Sequence, residues 1–181
     1  MMELWDVYDE NRQLTGRSMV RGEPIKDGNY HLVVHVCVFN RKGEMLIQKR
    51  QPFKEGFSGM WDITVGGSAV RGESSREAAA RELCEEVGLG LDFSNVQPHL
   101  SVNFRHGFDD IYLMQVEELD PDMLTLQYAE VECVRWATEQ EILSMIASGE
   151  FIPYYDHMIG LLFAMRQGYG THQKNSEASI K

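Results

Sequence analysis

Residues Gly67–Leu89 read GSAVRGESSREAAARELCEEVGL. Within this stretch Glu82, Glu85 and Glu86 stand at i, i+3 and i+4, with Arg81 beside them and Glu73 upstream. At about 100° per residue these glutamates share one helix face. Like charges at that spacing cost each other roughly 0.2–0.5 kcal/mol. A face that repels itself is explained when a cation sits on it. For an all-oxygen donor set the natural cation is Mg²⁺, with Mn²⁺ as the alternative.

The helix itself is spelled out by local chemistry. Ser74 is a good N-cap, and Ser74-x-x-Glu77 is a capping box. Ala78, Ala79 and Ala80 propagate a helix, and Gly88 stands where a left-handed C-terminal residue is wanted. Ala80, Leu83, Cys84 and Val87 are read as the side away from the glutamates, which packs on a sheet. Arg81 lies four residues before Glu85 and can pair with it. Gly66 and Gly67 are read as a loop whose backbone can approach a ligand or offer a carbonyl to a metal.

Outward from this segment, the chain alternates strand and helix signals. Leu4–Tyr8 reads as a strand, Asp9–Arg12 as a turn, and Arg17–Asn29 as a loop with a short strand. His31–Phe39 (HLVVHVCVF) is a buried central strand, with Glu44–Lys49 as its hairpin partner. Arg50–Gly59 is a long loop and Trp61–Val65 a short strand. Further strands are expected at Leu100–Phe104, Ile111–Glu117 and Ala129–Trp136. Thr138-x-x-Glu141 opens a helix that ends before Gly149. Asp156 is expected to cap a last helix running to Gln167, with Met158, Ile159, Leu162, Phe163 and Met165 inward. Strands interrupted by helices imply an α/β fold, a mixed sheet with helices on both sides. Residues 1–168 form a single domain, and 169–181 a frayed tail.

Composition narrows the function classes. A chain of 181 residues can bury one real core. The formal net charge of −11 leaves no basic surface for phosphate backbones, so no nucleic-acid partner is expected. No apolar run approaches the ~20 residues of a membrane span, and the acidic start MMELWDVYDENRQ lacks a signal-peptide core. Cys37, Cys84 and Cys133 form no C-x-x-C pair and are read as reduced, mostly buried thiols of a cytoplasmic protein.

The quoted stretch resembles the Nudix box, G-x5-E-x7-R-E-U-x-E-E-x-G-U with U aliphatic. Gly67, Glu73, Arg81, Glu82, Leu83, Glu85, Glu86, Gly88 and Leu89 fill every specified position without a gap. A bare E-x-x-E-E is ordinarily a solvated helix face. The register of Gly67, Glu73, Arg81 and Gly88 argues against that here. The resemblance, spanning about Leu4 to Phe163, implies an α/β/α sandwich with a mixed β-sheet and metal-dependent hydrolysis of a diphosphate linkage. It implies Glu82, Glu85, Glu86, Glu73 and the Gly66 carbonyl as metal ligands and Arg81 as the residue orienting them. For the general base it offers Glu82 or Glu130, with Glu132 as a weaker third. The implied partner is a small-molecule diphosphate, a nucleoside diphosphate or derivative or a related organic diphosphate; a homodimer is left open.

Substrate selection is thinly encoded. Lys49, Arg50 and Arg105 can meet phosphates. Trp61, Phe57 and Phe104 can stack on a base, although aromatics at such positions more often belong to the core. His31 and His35 share a strand face and are read as core-edge or hydrogen-bonded. LWDVYDENRQLTGR, HLVVHVCVFNRKGEMLIQKR and GMWDITVGG resemble the branch related to isopentenyl-diphosphate isomerase. That branch carries a catalytic cysteine at the position of Gly66 and a metal-binding histidine at that of Ser68. This chain has neither; His31 alone matches an isomerase ligand position. Hydrolysis on an isomerase-like scaffold is therefore favoured. An isomerase and a non-catalytic diphosphate-binding module are the alternatives. The reading carries one geometric condition: the acidic side chains must not be splayed apart or used up by neighbouring bases.

Overall fold

A computed structural model describes residues 2–172. The β-branched run His31–Phe39 (β3) is the axis of the main sheet. Val34, Val36 and Val38 point to one face, Cys37 and Phe39 to the other. Both faces are covered, as a continuously apolar strand requires. Around β3 stand β4 (Met45–Arg50), β5 (Trp61–Asp62), β6 (Val65–Ser68), β7 (Leu100–Phe104), β8 (Gly107–Gln115) and β9 (Val131–Ala137). The order is β5-β4-β3-β8-β7, with β6 on β3 and β9 on β4. β3 and β8 run parallel from His31↔Gly107 to Phe39↔Gln115; the other pairs are antiparallel. Helix α1 (Ser75–Val87) packs Ala78, Ala79, Leu83 and Val87 on the valine face. Helices α2 (Glu139–Ser148) and α3 (Asp156–Met165) cover the other with Ile142, Ile159, Leu162 and Phe163. This is the α/β/α sandwich with a mixed sheet.

The sheet is split at its centre. β3 and β4 pair only at Phe39↔Met45. Thr64 fills the gap, its hydroxyl accepting from the Val38 N–H at 2.9 Å and donating to the Leu46 carbonyl. The strand read as Trp61–Val65 is therefore two: β5 pairs with β4, and the chain crosses at Ile63–Thr64 to pair as β6 with β3. Gly66 and Gly67 lie on β6, in strand geometry rather than in a loop.

Other boundaries shift for local reasons. β2 (Leu14–Val20) is a full strand that starts before the Arg17–Asn29 segment read as a loop with a short strand, and it pairs with β1 (Leu4–Tyr8) as a separate hairpin. The Arg71 N–H donates to the Leu4 carbonyl and the Gly72 N–H to Asp6, both at 2.7 Å, docking this hairpin on the approach to α1. Asp156 is inside α3; its N-cap is Tyr155, with no side-chain cap bond. Cys84 is exposed, Cys133 half-buried and only Cys37 buried, so the thiols are not mostly buried. Tyr169 stacks on His99 with centroids 4.1 Å apart, so the expected tail begins docked; residues 173–181 of it lie outside the described residues.

The capping box of α1 is present as predicted. Ser74 accepts from the Glu77 N–H, Glu77 accepts from the Ser74 N–H at 2.8 Å, and Gly88 is left-handed at φ 70°. Ser74→Ala is expected to lower stability by about 1 kcal/mol in urea denaturation, the usual cost of a lost N-cap.

Candidate active site

The box residues gather around the Arg81 guanidinium. Its Nε and Nη2 donate to Glu73 at 2.7 and 3.0 Å, and Nη1 donates to Glu82 at 2.9 Å and Glu85 at 3.1 Å. Nη2 also meets the Ser68 carbonyl at 3.1 Å. The hydrogen bond to Glu73, ahead of the opposing burial, raises the proton affinity of Arg81, which stays charged. Glu86 faces the other way. It is 6% exposed and accepts from Gln48 Nε2 at 2.9 Å. Burial pushes its carboxyl up to about 7, against the Gln48 hydrogen bond and with repulsion from Glu82. Burial also raises Glu82, outweighing Arg81.

The glycines explain how close this cluster can be. Successive residues of a strand face opposite sides. A Cβ on Gly67 would overlap the Glu82 carboxylate, and one on Gly66 would overlap the His35 ring. His35 Nδ1 lies 2.8 and 2.9 Å from the two Asp109 oxygens. Burial works against the charged ring, but Asp109 raises its proton affinity overall. Gly66→Ala is expected to cost about 1–3 kcal/mol in thermal unfolding, the scale of overpacking a filled site.

The condition set by the sequence is met in part. Glu73, Glu82 and Glu85 are held by Arg81, and Glu86 by Gln48. Among the described residues no three His, Cys, Asp or Glu side chains converge in chelating geometry. Mg²⁺ takes one or two carboxylates, keeps waters and completes its shell with substrate phosphates, so it does not require such a cage. Glu86, buried, and Glu82, half-buried, are hard oxygen donors that repel each other. That donor set suits a hard divalent cation.

The remaining expected residues divide. Glu130 precedes β9 in a turn and pairs with Lys54. The Lys54 ammonium, its proton affinity lowered by burial and Arg50, acts on Glu86 and Glu82. Arg50 lies 3.9 Å from Asp62. Glu132 is paired with Lys49 at 3.0 Å. Trp61 packs on the core under Arg135, 5.1 Å from the ring centroid. Phe104 meets His31 edge-on at 5.4 Å, and His31 stacks on Trp5 at 4.4 Å. Arg105 lies in the exposed β7–β8 turn, with no ion pair among the described residues. Sequence reading missed Gln48, Lys54 and Arg21. Gln48 was legible as the inward residue two after Leu46. Lys54 lies in an aperiodic loop, and Arg21, whose charge acts on Glu82 and Lys54, follows β2 in a stretch read mainly as loop. Two surface hollows, of about 550 Å³ beside Asn40 and Trp136 and about 430 Å³ beside Arg76 and Phe93, exclude the box glutamates.

Comparison with known proteins gives the family and the fold. The NUDIX domain model matches residues 29–155. The chain is 45% identical over 171 residues to an uncharacterised Nudix hydrolase of Listeria innocua, covering 94% of this chain and 99% of that protein. A crystal structure of DR0079 from Deinococcus radiodurans superposes with a TM-score of 0.71 at 23% identity, covering 88% of this chain and 97% of that one. An isopentenyl-diphosphate Delta-isomerase of Halorhodospira halophila is 48% identical over 88 residues, about half of each chain (49% and 50%). The family match defines a class of hydrolases that cleave pyrophosphate linkages in small molecules and generally use divalent metal ions. The chain belongs to the Nudix family and is a Nudix hydrolase. Among the described residues no helix is long and apolar enough to cross a membrane.

Proposed function

We propose that this protein is a Mg²⁺-dependent diphosphohydrolase of a small organic diphosphate. The observation that carries the reading is the pair of mutually repelling carboxylates, buried Glu86 and half-buried Glu82, with the charge of Lys54 acting on Glu86 and that of Arg21 on Glu82. Glu82, Glu85, Glu86 and the Gly66 carbonyl would hold the ion. When bound, Mg²⁺ offsets the charge developing on phosphate oxygens and lowers the pKa of a water. Arg81 keeps Glu73, Glu82 and Glu85 in register. Lys54 and Arg50 supply positive charge for the phosphates. Glu82 and Glu130 are the candidates to take the water's proton, and Glu130 is free to do so once Lys54 turns to substrate. The isomerase reading is disfavoured on geometric grounds: any β-carbon at Gly66, the position of that enzyme's cysteine, meets His35.

The test is a Mg²⁺ assay over a panel of organic diphosphates, with products followed by phosphorus NMR in ¹⁸O-labelled water. Phosphate products carrying ¹⁸O support the reading. Allylic product without phosphate release would replace it with isomerisation, and tight binding without turnover with a binding module.

A further inference from the structure

The β1–β2 hairpin stands outside the residues that the family model matches, yet it is fastened to the start of α1. Its turn is built by Asp9, whose carboxylate accepts from the Asn11 and Gln13 N–H groups at 2.9 and 2.8 Å. That turn places Arg12 in the left-handed region, at φ 59°. From there the Arg12 guanidinium reaches β7 and β8. It lies over Phe108, 5.6 Å from the ring centroid, donates to Ser101 Oγ at 3.1 Å and pairs with Asp110. Asp110 is 1% exposed and takes two more donors. One is the Ser101 hydroxyl; the other, at 2.6 Å, is the hydroxyl of Ser75, the first residue of α1. Ser75 also meets the Tyr112 hydroxyl at 2.7 Å.

We infer that Arg12 is a positioning residue for the metal-binding face of α1: through Asp110 and Ser75 it fixes where the helix begins, and with it Glu73, Glu82 and Glu86. The inference rests on the diphosphohydrolase reading and adds a residue to it. The first turns of α1 meet the sheet through Ala78 and Ala79. Apolar contact holds a helix against a sheet but has no direction, so small side chains alone leave rotation and sliding weakly specified. Hydrogen bonds are directional, and the Ser75 bonds to Asp110 and Tyr112 supply that direction. Their acceptor is a buried carboxylate, which is costly to keep without a partner charge. Among the described residues Arg12 is the cation it pairs with. The same hairpin holds the loop that carries Glu73, because the Arg71 and Gly72 N–H groups donate to Leu4 and Asp6. Displacing the hairpin therefore frees both ends of the stretch 71–75.

Arg12→Gly removes the side chain and keeps the turn, because glycine adopts a positive φ readily. Ser75→Ala cuts the other end of the connection. In the intact protein each should raise the Mg²⁺ concentration needed for half-maximal turnover, and for half of the Mg²⁺-induced shift in Tm, by roughly ten-fold, the scale of losing a group that orients metal ligands. The double variant should match the single ones, since both cut one connection. Arg12→Lys, which keeps the charge, should recover part of the loss. Amide exchange in chelator reads the connection without metal: Arg12→Gly should speed exchange at the Arg71 and Gly72 N–H groups by roughly ten-fold, as local opening becomes easier. A lower Tm at an unchanged Mg²⁺ requirement would reduce Arg12 to a structural contact and overturn the inference. So would unchanged exchange, or separate losses that multiply to about a hundred-fold in the double variant. A wild type that neither turns over nor shifts with Mg²⁺ would sink the hydrolase reading instead, and the exchange rates would still decide whether Arg12 holds the start of α1.

Discussion

Glu86→Gln is expected to lower Mg²⁺-dependent turnover by roughly 100- to 1,000-fold, the scale of losing one charge-stabilising group at a reaction centre. Metal-free stability should be unchanged or higher. Glu86 is 6% exposed and, among the described residues, its side-chain hydrogen-bond partner is the Gln48 amide. A glutamine of the same shape can keep an amide–amide bond there while removing a buried charge. Activity and stability should therefore move in opposite directions, as expected where a site holds groups that the fold alone would not favour. Glu85→Gln should also lose turnover, but with less change in stability, because Glu85 is half exposed. The measurements are steady-state rates on the best substrate and thermal unfolding with and without Mg²⁺. Wild-type rates in both variants would remove the assignment.

Arg81→Ala is the second large effect. One guanidinium serves Glu73, Glu82 and Glu85, and it is itself largely shielded. Removing it leaves carboxylates of like charge together in a partly buried site. A fully buried pair broken this way costs about 3–5 kcal/mol; solvent around Glu85 reduces the figure here to about 2–3 kcal/mol. Turnover should fall with it, since the carboxylates lose their register. Added Mg²⁺ should then stabilise the variant more than the wild type, because the ion replaces a lost cation. Differential scanning calorimetry in chelator and in Mg²⁺ decides this. An equal Mg²⁺ shift in both proteins would mean that Arg81 and the ion do not share the same carboxylates.

Elements with their own local logic were legible in the chain. The central strand appears with the expected bounds because nine residues of near-continuous β-branched and apolar character admit only a buried strand. Helices α1 and α2 start and stop where their caps say, because capping is decided within a few residues. What depends on distant partners was not legible. Leu14–Val20 carries weak strand character and is ordered by pairing with Leu4–Tyr8. Trp61–Val65 looks continuous, but the divergence of β3 from β4 divides it between two partners. Cys84 has the spacing of a packed residue, yet the buried face of α1 runs through Ala79, Leu83 and Glu86 and leaves it exposed.

By itself the sequence determined the acidic helix, its caps, the glycines that precede it and the family they mark, because these depend on spacing along one continuous segment. Only the tertiary structure decided which base holds which acid. It turned Glu86 inward to Gln48, gave Glu73, Glu82 and Glu85 to Arg81, and brought Lys54 to Glu130 and Arg12 to Asp110. Those partners come from strands and loops far apart in the chain, and a periodicity of 3.6 or 2 residues carries no information about what a side chain will meet across the sheet.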